Sequence, residues 1–380
     1  MIGPHAPSGR MRDHFDWPLF IAAALVAVLG VVNLYSATSV YAGSSPTLAE
    51  MYINQLYWLA IGGVAGALVV AVDYHHIERL AFVIYTLGVF GLILVFILGR
   101  DVRGAARWIE LGSFRFQPSE FMKICLVIAM AKFLHDDAKS EERTLRDLAI
   151  PAVLTAVPAL LVARQPDLGT ALLLVLVFLT IASITRLRLR SLLAFVGTAL
   201  VAVPIAWQYA LPYQRARVTA FLNPAADLSG TGYHAYHARV AIGNGGILGQ
   251  GFMSGMQNQY RFLPDQYSDF PFPVFAEEWG FVGSLVLLGL YAFLVLWSVR
   301  IAAQARDRFG AVLAVGCGAI IFWHTVFNLG MASGLLPVVG ITLPLFSYGG
   351  SSVTTVLLAV ALLMNVSVRR YVGVSTLDRL

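Results

Sequence analysis

Ten apolar runs, spread over nearly the whole chain, decide what this sequence can fold into. They lie near Trp17–Leu34, Leu56–Val72, Leu80–Leu98, Phe121–Leu134, Leu148–Val162, Leu168–Ile184, Leu192–Ala210, Val274–Val299, Val312–Leu329 and Ser352–Val368. Crossing a bilayer as a helix takes roughly 20 apolar residues. Backbone with unpaired N–H and C=O groups cannot face lipid, so the runs predict transmembrane helices. Composition agrees. The 380 residues are 58% hydrophobic and 12% charged, against about 25% charged in soluble domains. The expectation is an all-α, polytopic membrane protein with ten spans, forming one integral membrane domain over residues 1–380.

Arg10 and Arg12 precede the first run, as in the n-region of a signal peptide. That run is longer than the roughly 7–15 apolar residues of a cleaved signal, so it reads as a retained anchor. Cys125 and Cys317 both fall in apolar runs and give no disulfide framework or metal-ligand spacing. The net charge of +5 is informative by location. Alternating the runs from an inside N-terminus puts about 15 Lys and Arg in cytoplasmic segments and about 9 outside. The positive-inside rule favours that orientation, with both termini cytoplasmic. The outside arginines run against the rule and are clustered, around Arg100–Arg115, at Arg164 and over Arg215–Arg261. Such a cluster asks for an anion on that side, either a substrate or headgroup phosphates and nearby carboxylates. The segment His135–Asp147 reads as a solvated connector, and Arg186, Arg188 and Arg190 as a topology signal.

Two outside segments exceed ordinary connections: Gly99–Gln117 and the long loop Leu211–Pro273. The second is rich in Tyr, Phe and Gly, and its Gly243–Gly251 run predicts tight backbone turns rather than a phosphate loop. Ala238–Ile242 and Phe262–Leu263 are apolar enough to lie in the interface or against the bundle. Near the C-terminus, Gly340–Ser352 breaks an apolar region with Gly, Pro and Ser. That predicts either a discontinuous helix lining a cavity or close helix packing.

Several residues could do chemistry. Pro118-Ser119-Glu120 opens the fourth run, with Lys123 three residues on and on the same helical face. The pair is either an intrahelical ion pair with a capping role or a charge pair facing a reacting polar group. In Arg164-Gln-Pro-Asp167, Asp167 is a candidate helix cap. The stretch Arg261–Gly280 concentrates Asp265, Asp269, Glu277 and Glu278 against a long apolar run, and ionisable groups at a membrane boundary mark a functional site. Glu277 and Glu278 suit dipole stabilisation in a first turn. Asp269 sits between Tyr267-Ser268 and Phe270-Pro271-Phe272, either as a cap or as a carboxylate tuned by apolar neighbours into a general base. His234 and His237 have helical spacing but no adjacent third ligand, which favours packing over metal binding.

Read in order, these motifs resemble the SEDS family of bacterial cell-wall polymerases, in its RodA type. The matching pieces begin with Gly104-Ala-Ala-Arg107-Trp108, Phe116-Gln-Pro-Ser-Glu-Phe-Met-Lys123 and Gln165-Pro-Asp-Leu-Gly-Thr170. They continue with Gly232-Tyr-His, Ala241-Ile-Gly-Asn-Gly-Gly246, Phe262–Phe270, Ala276-Glu-Glu278 with Gly280, and Gly340–Ser352. The resemblance implies an inverting glycosyltransferase that polymerises lipid II into glycan strands on the outer face of the bacterial cytoplasmic membrane, for cell elongation and rod shape. It implies Asp269 as general base, with Glu120 and Lys123 matching the family's fourth-helix pair. Arg107, Arg115, Arg164, Arg215 and Arg217 are on the side that binds the pyrophosphate, and a divalent metal (Mg or Mn) can share that task. The implied partners are a class B penicillin-binding protein, the elongation machinery and membrane lipids, with no nucleic acid. Two departures stand out. Tyr267-Ser268 replaces the family's His-Thr, and Pro271-Phe-Pro273 replaces Ile-Phe-Ala, which predicts a later helix start after Asp269. The competing readings are a lipid II flippase and a non-catalytic scaffold for the transpeptidase.

Overall fold

The computed structural model describes residues 15–102, 105–111, 114–137, 144, 146–185, 208, 212–222, 231–263 and 265–370. Among these, fourteen helices run in chain order: α1 Trp17–Ser39, α2 Pro46–Ala49, α3 Met51–Ala71, α4 Tyr74–Arg79, α5 Ala81–Leu98, α6 Pro118–Asp136, α7 Ala149–Arg164, α8 Leu168–Ser183, α9 Pro212–Leu222, α10 Thr231–Asn244, α11 Met256–Gln259, α12 Pro271–Ala303, α13 Arg308–Ser333 and α14 Gly350–Arg369. Helices cover nine of the ten apolar runs, and six (α1, α3, α5, α12, α13, α14) are long and apolar enough to cross a membrane. The seventh run and the Arg186–Arg190 turn lie outside the described residues, apart from Gln208. This is a polytopic helical membrane protein.

One expected loop is folded. Within residues 99–117, β1 Arg100–Val102, β2 Ala105–Leu111 and β3 Phe114–Phe116 form an antiparallel sheet in the order β1-β2-β3. The alternation Trp108-Ile-Glu-Leu against Phe114-Arg-Phe pairs Ile109 with Phe116 and Glu110 with Arg115. A period of two had been hidden by the neighbouring spans.

Burial separates the helices into a centre and a rim. The apolar windows of α14 and α13 are 83% and 72% buried, those of α3 and α5 only 17%. α6 lies between α5 and α13 and also touches α14. The inner face of α6 therefore looks onto α13, where a buried polar side chain must find a protein partner.

The long loop packs onto the bundle. Ala238, Ala241 and Leu263 are fully buried in the main core. Its glycine turn enters the break in α12 at Gly280, which has φ 65 and ψ −162. Breaking a helix frees carbonyls before the break and N–H groups after it. Here Gln250 N and Gly251 N donate to Glu277 O and Glu278 O (2.9 and 3.1 Å). Phe281 N and Val282 N donate to Gly246 O and Ile247 O (2.9 and 3.1 Å). The turn completes the helix from outside it. Residues 281–303 alone, at 1.5 Å per residue, make about 34 Å, enough to cross a hydrocarbon core of about 30 Å. The half-helix 271–279 is left to pack inside the protein, and Pro271 to Glu278 are all buried.

Gly280→Ala is expected to lower the melting temperature of the solubilised protein. Its φ/ψ is accessible essentially to glycine alone, and forcing another residue there costs about 1–3 kcal/mol. A Cβ would also stand 2.3 Å from Gly249 N. An unchanged melting curve would contradict this account of the break.

Candidate active site

The strip between α13 and α14, residues 334–349, is irregular backbone, half-buried or exposed as far as Gly340 and mostly buried from Ile341 to Ser347, where surrounding side chains satisfy its polar groups. Asn328 Nδ2 donates to Ile341 O (2.7 Å), Tyr291 Oη to Pro344 O (2.7 Å) and Gln55 Nε2 to Ser347 O (3.0 Å). Leu343 N donates to Ser347 Oγ (2.7 Å). Both expectations for Gly340–Ser352 are met in part: residues 340–349 are not helical, and Gly350 opens α14 in close contact with α3, where a Cβ would stand 2.1 Å from the Trp58 ring.

Against this strip stands Lys123, one turn into α6 and without exposed surface. Its Nζ lies 2.8 Å from Glu120 Oε2 and 2.7 Å from His324 Nε2. His324 Nδ1 lies 3.0 Å from Thr342 O. A carbonyl only accepts, so Nδ1 carries the proton, and Nε2 is left as acceptor for the ammonium. Three elements thus hold one buried cation: α6 supplies Glu120, α13 supplies His324, and the strip fixes the His tautomer. The ion-pair reading of Glu120 and Lys123 holds, with a partner on another helix that the sequence reading missed. His324 sits in an apolar run; a polar residue there, four before Asn328, was the available signal.

Asp269 lies two residues before α12. Its N–H donates to Asp265 O (3.1 Å), closing the turn expected around Asp265. Its own carbonyl accepts from Asn328 Nδ2 (3.0 Å). A Cβ added at Gly340 (φ 75) would stand 3.5 Å from Asp269 Oδ2, so the strip passes directly beneath the carboxylate. Phe270 and Phe272 are buried beside it. The helix starts at Pro271 with Phe270 at its N-cap. Asn328 and His324 are one turn apart on α13, so one helical face positions both Asp269 and Lys123.

The arginines divide into two groups. Arg107, on β2, donates from Nε to Gln165 O (3.0 Å) and from Nη2 to Pro166 O, clamping the meander to the α7–α8 turn. Asp167 caps α8 by accepting from Thr170 N and also accepts from Gln117 Nε2 (both 3.2 Å). Arg164 is exposed at the end of α7, and Arg115 is exposed and 3.6 Å from Glu110. Arg215 and Arg217 stand apart on α9, where Arg215 Nη2 donates to Gln208 O (2.7 Å). Arg107→Lys is expected to loosen the meander, because an ammonium cannot reproduce a forked contact. The loss is about 1–3 kcal/mol and should appear as faster proteolysis within residues 100–117. Unchanged cleavage would contradict the clamp.

Glu277 and Glu278 are tied into structure rather than the helix dipole. Glu277 accepts from Gln257 N (3.1 Å), and Glu278 accepts from Ser36 Oγ. His237 packs as expected, 2.8 Å from Gln257 Oε1 and stacked on Phe262. Among the described residues, the group able to offer three ligand atoms to a metal is Glu78, His135 and Asp136. Lys132 already bridges two of these, and the group lies toward the far end of α6. Around Asp269 the protein offers no cage of three ligands among the described residues, so a divalent cation there would be held by substrate phosphates and one carboxylate.

The sequence profile of the FtsW/RodA/SpoVE cell cycle proteins matches residues 16–372. The chain belongs to this family. Over 349 residues it is 38% identical to the peptidoglycan glycosyltransferase MrdB of Escherichia coli K12, covering 91% of this chain and 93% of that one. It is 31% identical over 433 residues to the peptidoglycan glycosyltransferase RodA of Treponema pallidum, with 95% and 99% covered. Among solved structures, one described as a peptidoglycan synthase complex that coordinates polymerization and crosslinking superposes with a TM-score of 0.79 at 34% identity, covering 94% and 98%. The rod-shape-determining RodA of Thermus thermophilus gives 0.69 at 29% identity, with the same coverage. The FtsW/RodA/SpoVE fold therefore extends over nearly the whole chain.

Proposed function

We propose that this protein is a peptidoglycan glycosyltransferase that polymerises lipid II for cell elongation, with Asp269 as its general base. The observation that carries this reading is the joint placement of Asp269 and the Lys123–Glu120–His324 cluster on one face of α13, in a chain whose relatives bear that activity in their names. Both termini lie in the cytoplasm of the inner membrane, and the site opens on the outer face. The charge bias of the connecting segments supports that orientation.

The reaction joins two lipid-linked saccharides. The acceptor's 4-hydroxyl attacks the donor's anomeric carbon from the side opposite the pyrophosphate. Asp269 takes the hydroxyl proton, the C1–O bond to phosphate breaks, and a β-1,4 bond forms with inversion. A positioned base contributes about 10²–10⁴-fold. The departing undecaprenyl pyrophosphate is stabilised by positive charge. Lys123, enclosed beneath the strip, supplies it as a buried field, and its third N–H is used by neither Glu120 nor His324. Arg107 offers the Nη1 edge outside its two carbonyl bonds, with Arg115 eight residues on and Arg164 next to its acceptor Gln165, both exposed.

A flippase would need charge along a path through the bilayer. The buried Glu120, Lys123, Glu277 and Glu278 instead sit in the first turns of α6 and α12, and buried Asp16 lies at the opposite end beside Ser367 and Trp297, so among the described residues no buried charge bridges the two ends. Purified protein with lipid II in detergent, with and without its class B penicillin-binding protein, tests the reading. Glycan polymer formed in the absence of a membrane supports it; no polymer under either condition overturns it, and leaves the scaffold role.

A further inference from the structure

A second cationic site lies on the strip that backs Asp269. After α13 ends, residues 334–342 run back along it. Val339 N contacts Met331 Sδ (3.0 Å), Asn328 reaches Ile341 O, and His324 reaches Thr342 O. Thr342 holds His324, the partner of Lys123; Gly340 underlies the Asp269 carboxylate, and Leu336 and Val338 wall a pocket of about 40 Å³. Its opposite wall carries Arg217 and Phe221 from α9 and Arg239 from α10.

The pocket is built for an anion with an apolar continuation. Two arginines line one small space, and an anion seated there matches their forked donors. Arg239 Nε bonds only within its own helix, to Ala235 O (3.3 Å), and no carboxylate pairs with Arg239 among the described residues. The volume suits one phosphate group rather than a sugar ring. Phe221, Leu336 and Val338 supply the apolar edge that a lipid-borne phosphate requires.

Position separates this pocket from the Lys123 cluster while keeping it beside the base. From His324 to Gly334 is ten residues of α13, about 15 Å. From Val338 to Gly340 is at most about 7 Å of chain. The polymerisation proposed above uses two lipid-linked pyrophosphates, of which one departs and one stays attached. We propose that the Arg217/Arg239 pocket seats one phosphate of the pyrophosphate that stays attached, while the Lys123 cluster serves the one that leaves. This rests on the glycosyltransferase reading. The same chemistry would also accept the phosphate of an anionic phospholipid.

The test uses the full chain in phosphatidylcholine nanodiscs, with and without phosphatidylglycerol. Wild-type protein should bind two undecaprenyl pyrophosphate molecules per chain and Arg239→Ala one. The KM for lipid II should rise about 10-fold or more, as expected for a lost charge-assisted hydrogen bond, with kcat within about twofold of wild type. Arg239→Lys should recover part of the loss, and melting in phosphatidylcholine should be unchanged. Unaltered stoichiometry and KM would overturn the proposal. So would unaltered KM with loss of a phosphatidylglycerol-dependent rise in melting temperature, which would give the pocket to phospholipid. If wild-type protein makes no polymer yet Arg239→Ala still lowers the stoichiometry from two to one, the glycosyltransferase reading fails and the pocket's phosphate assignment stands.

Discussion

Replacing Asp269 by Asn is expected to lower glycan polymerisation by about 10²-fold or more, while the protein inserts and melts as wild type does. The amide keeps the size and most of the hydrogen bonding of the carboxylate but cannot take the acceptor's proton. The fold should not register the change. Two of the bonds that anchor this position run through its backbone, from Asp269 N to Asp265 O and from Asn328 Nδ2 to Asp269 O, and the substitution leaves them in place. Asp265→Asn is the matched control. That residue closes the turn with its carbonyl, which the substitution leaves in place, so polymerisation should stay within a few-fold of wild type. Equal losses in the two variants would mean that the acidic stretch acts as a whole and that no single base has been located.

Lys123→Ala is expected to remove both stability and turnover. The substitution leaves Glu120 enclosed without its cation, and breaking a buried ion pair from one side costs about 3–5 kcal/mol. A fall in activity alone would therefore be ambiguous. The paired change Glu120→Gln with Lys123→Met separates the roles, because it removes both charges together and keeps the volume. Melting should return most of the way to wild type, while polymerisation stays at the Lys123→Ala level because the pyrophosphate has lost its buried positive charge. Recovery of polymerisation by the double variant would show that the pair serves only to hold α6 in place.

Much of this was legible in the sequence. Apolar runs of membrane length located nine helices, because the absence of water forces the backbone to satisfy itself locally. The Glu120/Lys123 pair and the Asp167 cap follow from helical spacing and end chemistry, which are local rules. What escaped was settled by distant contacts. His324 and Asn328 look like ordinary polar residues of an apolar segment until α6 and the strip arrive beside them. The break at Gly280 was read as a continuous span because its compensation comes from Gly246, Ile247, Gln250 and Gly251, some thirty residues earlier. Arg107 is expected from the sequence to face the substrate, and the Nε/Nη2 edge of its fork is spent on Gln165 and Pro166 carbonyls. A guanidinium is as useful to an exposed turn as to a phosphate, and sequence alone does not distinguish them.

In the proposed mechanism a single carboxylate at the foot of α12 drives polymerisation. The direct measurement follows lipid II conversion by purified wild-type and Asp269→Asn protein, each with the cognate transpeptidase, in detergent without any ion gradient. A ladder of glycan strands is expected from wild type, and essentially none from a variant of equal melting temperature and equal partner binding. Strands of normal length and rate from Asp269→Asn would contradict that mechanism.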